Sequence, residues 1–70
     1  MLVIRAEDFG NIVRDRRNDL GLSQKELGER VEMSRQWIVR FENGHAATAT
    51  FDHILRIAEA LDLDIEVTGL

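Results

Sequence analysis

The stretch SQKELGERVEMSRQW, residues 23–37, contains two helix starts in quick succession. Ser23 is followed three residues later by Glu26. That is the pattern of a capping box, in which a hydroxyl and a carboxylate each take a backbone N–H that the first turn leaves unpaired. Leu27 and Val31 stand four apart and give the first helix, 24–31, its inward face. VEMS interrupts the pattern. Ser34 then caps a second helix, 35–43, with Ile38 and Phe41 inward and Gly44 beyond its end. Gly28 lies inside the first of these helices, where glycine costs about 1 kcal/mol against alanine. Close approach of the next helix is the expected reason.

The rest of the chain is organised around this pair. AEDFGNIVRDRRNDL, residues 6–20, carries Phe9, Ile12, Val13 and Leu20 at helical spacing. Glu7 and Asp8 sit in its first turn, where the helix dipole favours acids, and Gly21 stops it. HAATAT is a loop of small residues. Thr50 or Thr48 caps a fourth helix, 51–61, with Ile54, Leu55, Ile57, Ala58 and Leu61 apolar. That stripe is too wide for one contact, so one side is expected to meet the other helices and the other side a partner. The period then changes. Leu61, Leu63, Ile65 and Val67 alternate with Asp62, Asp64, Glu66 and Thr68, which predicts a strand over 63–68. A lone strand leaves backbone groups unpaired along both edges. It is expected to pair with its copy in a second subunit or with Leu2–Ile4. The predicted fold is mainly α, a single domain over 1–70 with four helices and a short C-terminal strand pairing in a dimer.

Composition narrows the function. A 70-residue chain without cysteine has neither disulfides nor thiolate metal sites to support a small core. Oligomerisation is the remaining support. His45 and His53 lack companion ligands, so neither a metal nor another cofactor is expected. Asp52-His53 has no nucleophile beside it, and no enzymatic activity is expected. No apolar run approaches the roughly 20 residues of a membrane span, and MLVI is too short for a signal peptide. These features predict a cytoplasmic protein that does not engage membranes.

Two short helices joined by a tight turn, the second with polar residues outward, form a helix-turn-helix, whose second helix enters the DNA major groove. Arginine can bond guanine bidentately, and glutamine adenine. Ser34, Arg35, Gln36, Val39 and Arg40 are therefore assigned to base edges. Ser23, Gln24, Trp37, Asn43 and His45 are assigned to phosphates, with Gln24 at the helix start where backbone amides assist. Trp37 borders the core side and the outward side, and both core packing and DNA contact remain open for it. The acidic balance, 9 Lys+Arg against 13 Asp+Glu, does not oppose this reading. The net charge of −4 arises wholly beyond residue 45, where Arg56 faces Asp52, Glu59, Asp62, Asp64 and Glu66. Ser34 to Phe41 holds two arginines and no acid. Distant charges are screened over about 8 Å at physiological salt.

LGLSQKELGERVEMSRQWIVRFENG, residues 20–44, resembles the Cro/CI-type helix-turn-helix of the XRE family, with LSQ, EL, SRQ and ENG in the family's places. The segment FDHILRIAEALDLDIEV resembles HipB-type antitoxins of kinase toxin–antitoxin modules, in which a fourth helix runs into a strand. The resemblance implies an autoregulating repressor that binds a palindromic double-stranded operator as a homodimer. It also implies a kinase-like toxin as a further partner. The dimer interface would comprise Leu61, Leu63, Ile65 and Val67. The resemblance further implies an ion pair between Arg17 and Glu42, with Arg17 lending remaining donors to a phosphate. Three positions depart from the family pattern: Glu32 stands where it has glycine, Gly28 where it has alanine, and Trp37 where it has threonine or serine. Two other readings stay open, a phage-type or metabolic repressor without a toxin and a protein-interaction adaptor that has lost DNA binding.

Overall fold

A computed structural model of the chain describes residues 6–45 and 49–64. Among these residues the regular elements are four helices: α1 (Ala6–Asp19), α2 (Gln24–Val31), α3 (Arg35–Glu42) and α4 (Phe51–Ala60). The hydroxyl oxygens of Ser23, Ser34 and Thr50 each accept the backbone N–H three residues on, so each starts a helix. Ser23 and Glu26 complete the reciprocal box at 3.0 Å in both directions. The Ser23 N–H and then its hydroxyl hold the Glu26 carboxyl below the usual carboxylate range.

All four helices end in the same way. A residue with positive φ (Gly21, Glu32, Gly44 or Asp62) returns its N–H to the carbonyl three residues back. The following residue (Leu22, Met33, His45 or Leu63) returns its N–H to the carbonyl five residues back. These are Schellman turns, which satisfy carbonyls that the last turn would otherwise leave without a donor. Leu22, Met33 and Leu63 also fold back against the core. Glu32, at φ 61°, carries out with a β-carbon what the family does with glycine. The left-handed conformation costs a residue of this kind about 1–2 kcal/mol.

The core comprises Val13, Leu27, Val31, Ile38, Phe41, Ile57, Ala58 and Leu61. Two glycines let backbones approach more closely than side chains would allow. A β-carbon on Gly10 would overlap the carbonyl oxygen of Phe41 and lie 3.0 Å from that of Glu42, so α1 rests directly on the last turn of α3. A β-carbon on Gly28 would lie 2.7 Å from the Met33 carbonyl oxygen. The close neighbour of Gly28 is therefore the turn into α3, not the body of that helix.

Several expectations change. Leu20 is 43% exposed, because α1 has given way to its terminal turn there. The inward positions near that end are taken by Arg16 and Arg17, with the Arg16 Nε donating to the Leu61 carbonyl at 2.9 Å. Leu61, expected at a dimer interface, is fully buried in its own core. It lies four residues after Ile57 and follows the helical period rather than the alternating one. Leu63 packs at the edge of the same core, and neither Leu63 nor Asp64 is in a strand. The remainder of the predicted strand, with Ile65 and Val67, lies outside the described residues, as do Leu2–Ile4 and Thr48.

Two substitutions test the backbone contacts. Gly10→Ala should cost about 1–3 kcal/mol by driving α1 off α3. Glu32→Gly should gain up to about 1 kcal/mol, with relief of the left-handed cost partly offset by a freer unfolded chain. Urea denaturation of both variants checks this. Unchanged stability of Gly10→Ala would mean that α1 is not seated on α3 as described.

Candidate nucleic-acid interface

Helix α3 buries Ile38, Phe41 and Glu42. At 3.6 residues per turn the opposite side falls to Arg35, Gln36, Val39 and Arg40. Arg35, Gln36 and Arg40 are exposed, and Val39 is half-buried among them. The four side chains form one continuous patch. The hydroxyl of Ser34 sits at its start, with its oxygen accepting the Trp37 N–H at 3.0 Å. The hydroxyl proton is left over for a further acceptor.

Glu42 sets the position of this helix. Its carboxylate is 2% exposed. Arg17 on α1 binds it bidentately, Nε to Oε2 at 2.7 Å and an Nη to Oε1 at 3.0 Å. Gln24, the first residue of α2, donates to the same Oε1 at 3.3 Å. The other Arg17 Nη donates to the Leu22 carbonyl at 2.7 Å. The bond to Glu42 raises the Arg17 pKa further above its ordinary value; burial opposes this and the Glu42 charge adds to it. The one acid of α3 is thus neutralised from within, and the patch presents the charges of Arg35 and Arg40.

The expected phosphate residues divide. Ser23, Asn43 and His45 are exposed. Gln24 is half-buried, and one amide hydrogen is engaged with Glu42. Arg17 is buried, with three of its nitrogens committed internally, so the phosphate contact expected of it is withdrawn. Trp37 is half-buried and stacks on Phe41 with ring centres 5.2 Å apart. Its indole also meets the His53 ring in an edge contact at 5.1 Å. Ser34, Gln36, Trp37, Arg40, Phe41 and His45 line a shallow depression of about 300 Å³ on this side.

His53, considered from sequence only as a possible metal ligand or catalytic group, is instead part of a helix cap. Its Nδ1 accepts the Thr50 N–H at 3.1 Å while Thr50 Oγ1 accepts the His53 N–H at 3.2 Å, giving a capping box with imidazole in place of carboxylate. The sequence signal was the position of His53 three residues after Thr50. Gly10 had a signal too, as a lone glycine within a helical pattern. Among the described residues no group of three or more His, Cys, Asp or Glu is arranged to hold a metal.

A double-mutant cycle measures the buried pair. Arg17→Ala or Glu42→Ala should each cost about 3–5 kcal/mol by stranding a charge. The coupling should exceed the roughly 0.2–1 kcal/mol of an exposed pair. Additive losses in chemical denaturation would contradict the bidentate contact.

Comparison with known proteins agrees with this geometry. Residues 8–68 match the family described as Helix-turn-helix domain. An HTH-type transcriptional regulator of Methanothermobacter thermautotrophicus is 43% identical over 51 residues, 71% of each chain. The restriction-modification controller protein C.AhdI from Aeromonas hydrophila superposes with a TM-score of 0.76 at 30% identity, over 84% of this chain and 88% of that one. A chain of the HipA-HipB-O2-O3 complex superposes with a TM-score of 0.84 at 20% identity, over 99% of this chain and 96% of that one, a likeness of fold. On these grounds the chain belongs to the helix-turn-helix domain family, in its XRE or Cro/CI type, a family of DNA-binding transcriptional regulators.

Proposed function

We propose that the chain is a sequence-specific repressor that binds a palindromic operator as a homodimer, in the manner of an antitoxin that silences its own operon and neutralises a kinase toxin. The observation that carries the DNA reading is the α3 patch. Arg35, Gln36, Val39 and Arg40 face outward together from a helix held by a buried carboxylate. Arg35 and Gln36 stand in the first turn, where recognition helices meet base edges. Ser23, Gln24, Asn43 and His45 flank them as phosphate contacts. Trp37, seated between Phe41 and His53, supports the patch from its edge and offers the backbone an indole N–H. The protein has no catalytic role in this reading.

The antitoxin part is supported by fold likeness to HipB over nearly the whole chain. A regulator without a toxin is supported by the higher identity to C.AhdI, a restriction-modification controller. Co-purification with the product of the neighbouring gene distinguishes them: capture of a kinase-like protein favours the antitoxin, and its absence favours the controller. The proposed dimer uses Leu63, Ile65 and Val67. Two strands pairing about a two-fold axis would satisfy each other's backbone and cover one apolar row. They would also set two recognition helices about 34 Å apart.

On operator DNA, Arg35→Ala or Gln36→Ala should relax preference at one position of each half-site, at about 1–3 kcal/mol per lost bidentate contact. Asn43→Ala should weaken all sequences alike. Binding to a panel of single-base operator variants reads both. Identical profiles for Arg35→Ala and Asn43→Ala would overturn the division of roles.

Ile65→Lys should abolish the dimer and with it operator binding, although this residue is assigned no DNA contact. Sedimentation paired with a mobility-shift assay checks it. A folded Ile65→Lys dimer with intact operator affinity would remove the strand from the interface.

A further inference from the structure

His53 serves two purposes at one place. In the first turn of α4 its Nδ1 accepts the Thr50 N–H at 3.1 Å, and the Thr50 hydroxyl oxygen accepts the His53 N–H at 3.2 Å. Its half-buried ring also meets the Trp37 indole edge-on, with ring centres 5.1 Å apart and planes at 70°. Trp37 belongs to the first turn of α3, and its other aromatic neighbour, Phe41, is on the same helix. Among the described residues His53 is therefore the ring that fixes the indole from outside α3. The indole lines the depression that Ser34, Gln36 and Arg40 share. Without His53 it gains rotational freedom beside Gln36 and Arg40.

Both purposes demand one protonation state. An imidazole nitrogen that accepts a hydrogen bond carries no proton, so the neutral ring has its proton on Nε2. A second proton has to enter at Nδ1. There it confronts the Thr50 N–H, donor against donor, and sets a positive charge in the first turn of a helix, where the dipole opposes it. The ring has to turn away, and the edge contact with Trp37 goes with it. Histidine is the side chain that changes charge between about pH 5 and 8. On α4 the charged groups near the ring are Asp52 and Arg56, which pair with each other at 3.0 Å. From the α3 side Arg40 and His45 stand at the depression beside Trp37, and the one carboxylate of that helix, Glu42, is bound by Arg17. We propose that His53 is a positioning residue for the α3 patch. It holds Trp37 in place while its imidazole is neutral and releases the indole when protonated, so that operator binding weakens on acidification. The operator part rests on the proposed function; the seating of Trp37 does not.

Trp37 is the one tryptophan and the chain has no tyrosine, so its emission reports this seat. With His45→Gln in place, His53 is the one histidine left, and all proteins are compared in that background. Two substitutions separate the purposes. His53→Gln keeps a capping-box partner three residues after Thr50 and removes the ring. His53→Phe keeps a ring and removes the acceptor. From about pH 8 to pH 5 the protein with His53 should show a titration of Trp37 emission. Over the same range it should lose operator affinity by about three- to tenfold, the range of a lost aromatic pair. His53→Gln should show the lowered affinity at every pH and no emission titration, and His53→Phe should keep the high-pH affinity throughout. Circular dichroism shows that each protein stays folded over the range. Emission independent of pH in the protein with His53, or unchanged affinity in His53→Gln, would overturn the proposal. So would a His53→Phe protein as weak as His53→Gln, because the cap and not the ring would then set the affinity. A chain with no operator preference at any pH would sink the operator reading alone, and the emission titration would still decide the seat of Trp37.

Discussion

A carboxylate with almost no access to water governs this small domain. Glu42 closes α3, and an ionised group at 2% exposure is tolerated only where opposite charge and hydrogen bonds replace its hydration. Arg17 supplies the charge and two bonds, and Gln24 a third. Three helices thus converge on two oxygen atoms. The requirement is directional as well as electrostatic, because a planar guanidinium meets a carboxylate in a narrow range of orientations. The end of α3 is thereby fixed relative to α1 and to the start of α2. The outward patch on α3 takes its orientation from that bracket. Gly10 permits it, since a β-carbon there would hold α1 away from the carbonyls of Phe41 and Glu42.

The turns do the complementary work. A chain with helices of 8 to 14 residues has a large share of its backbone in helix ends, where carbonyls lack partners. Using one left-handed ending four times resolves this locally. Three of the endings return an apolar residue to the core. The fourth, after α3, places exposed His45 beside the outward patch of that helix. The ending that gives no apolar residue to the core is therefore the one adjoining the outward patch of α3. Glu32 shows that the geometry is imposed by the surroundings: a left-handed glutamate persists because the turn between α2 and α3 has to be that short.

Charge is divided along the chain in a way that lets an acidic protein present a basic patch. The Glu42 charge is neutralised by Arg17, so Arg35 and Arg40 face no unpaired acid on their own helix. The acids of α4 and its following turn lie on a different helix. Non-specific attraction to a polyanion depends on the total field and is weakened by such acids, whereas base-edge contacts depend on the local patch. Under the proposed function this division favours particular sequences over bulk DNA.

Local signals in the sequence determined the helices and their starts. Ser23, Ser34 and Thr50 bond only three residues ahead, and the 3.6-residue period of Leu27, Val31, Ile38 and Phe41 is a property of neighbours along the chain. The candidate reading face was legible for the same reason, because residues opposite Ile38 and Phe41 on one helix have to point away from the core. The Arg17–Glu42 pair was legible by family resemblance alone, since no local rule joins residues 25 apart. Tertiary structure decided what depends on several elements meeting at once. It placed Leu61 inside and Leu20 and Leu55 outside, although all three are leucines at helical spacing, because helix ends and the packing of α2 against α4 determine which arc is covered. It committed Arg17 to Glu42 and the Leu22 carbonyl and so removed it from the phosphate set. It also seated Trp37 between Phe41 and His53, a contact between α3 and α4 that exists only once the two helices are brought together.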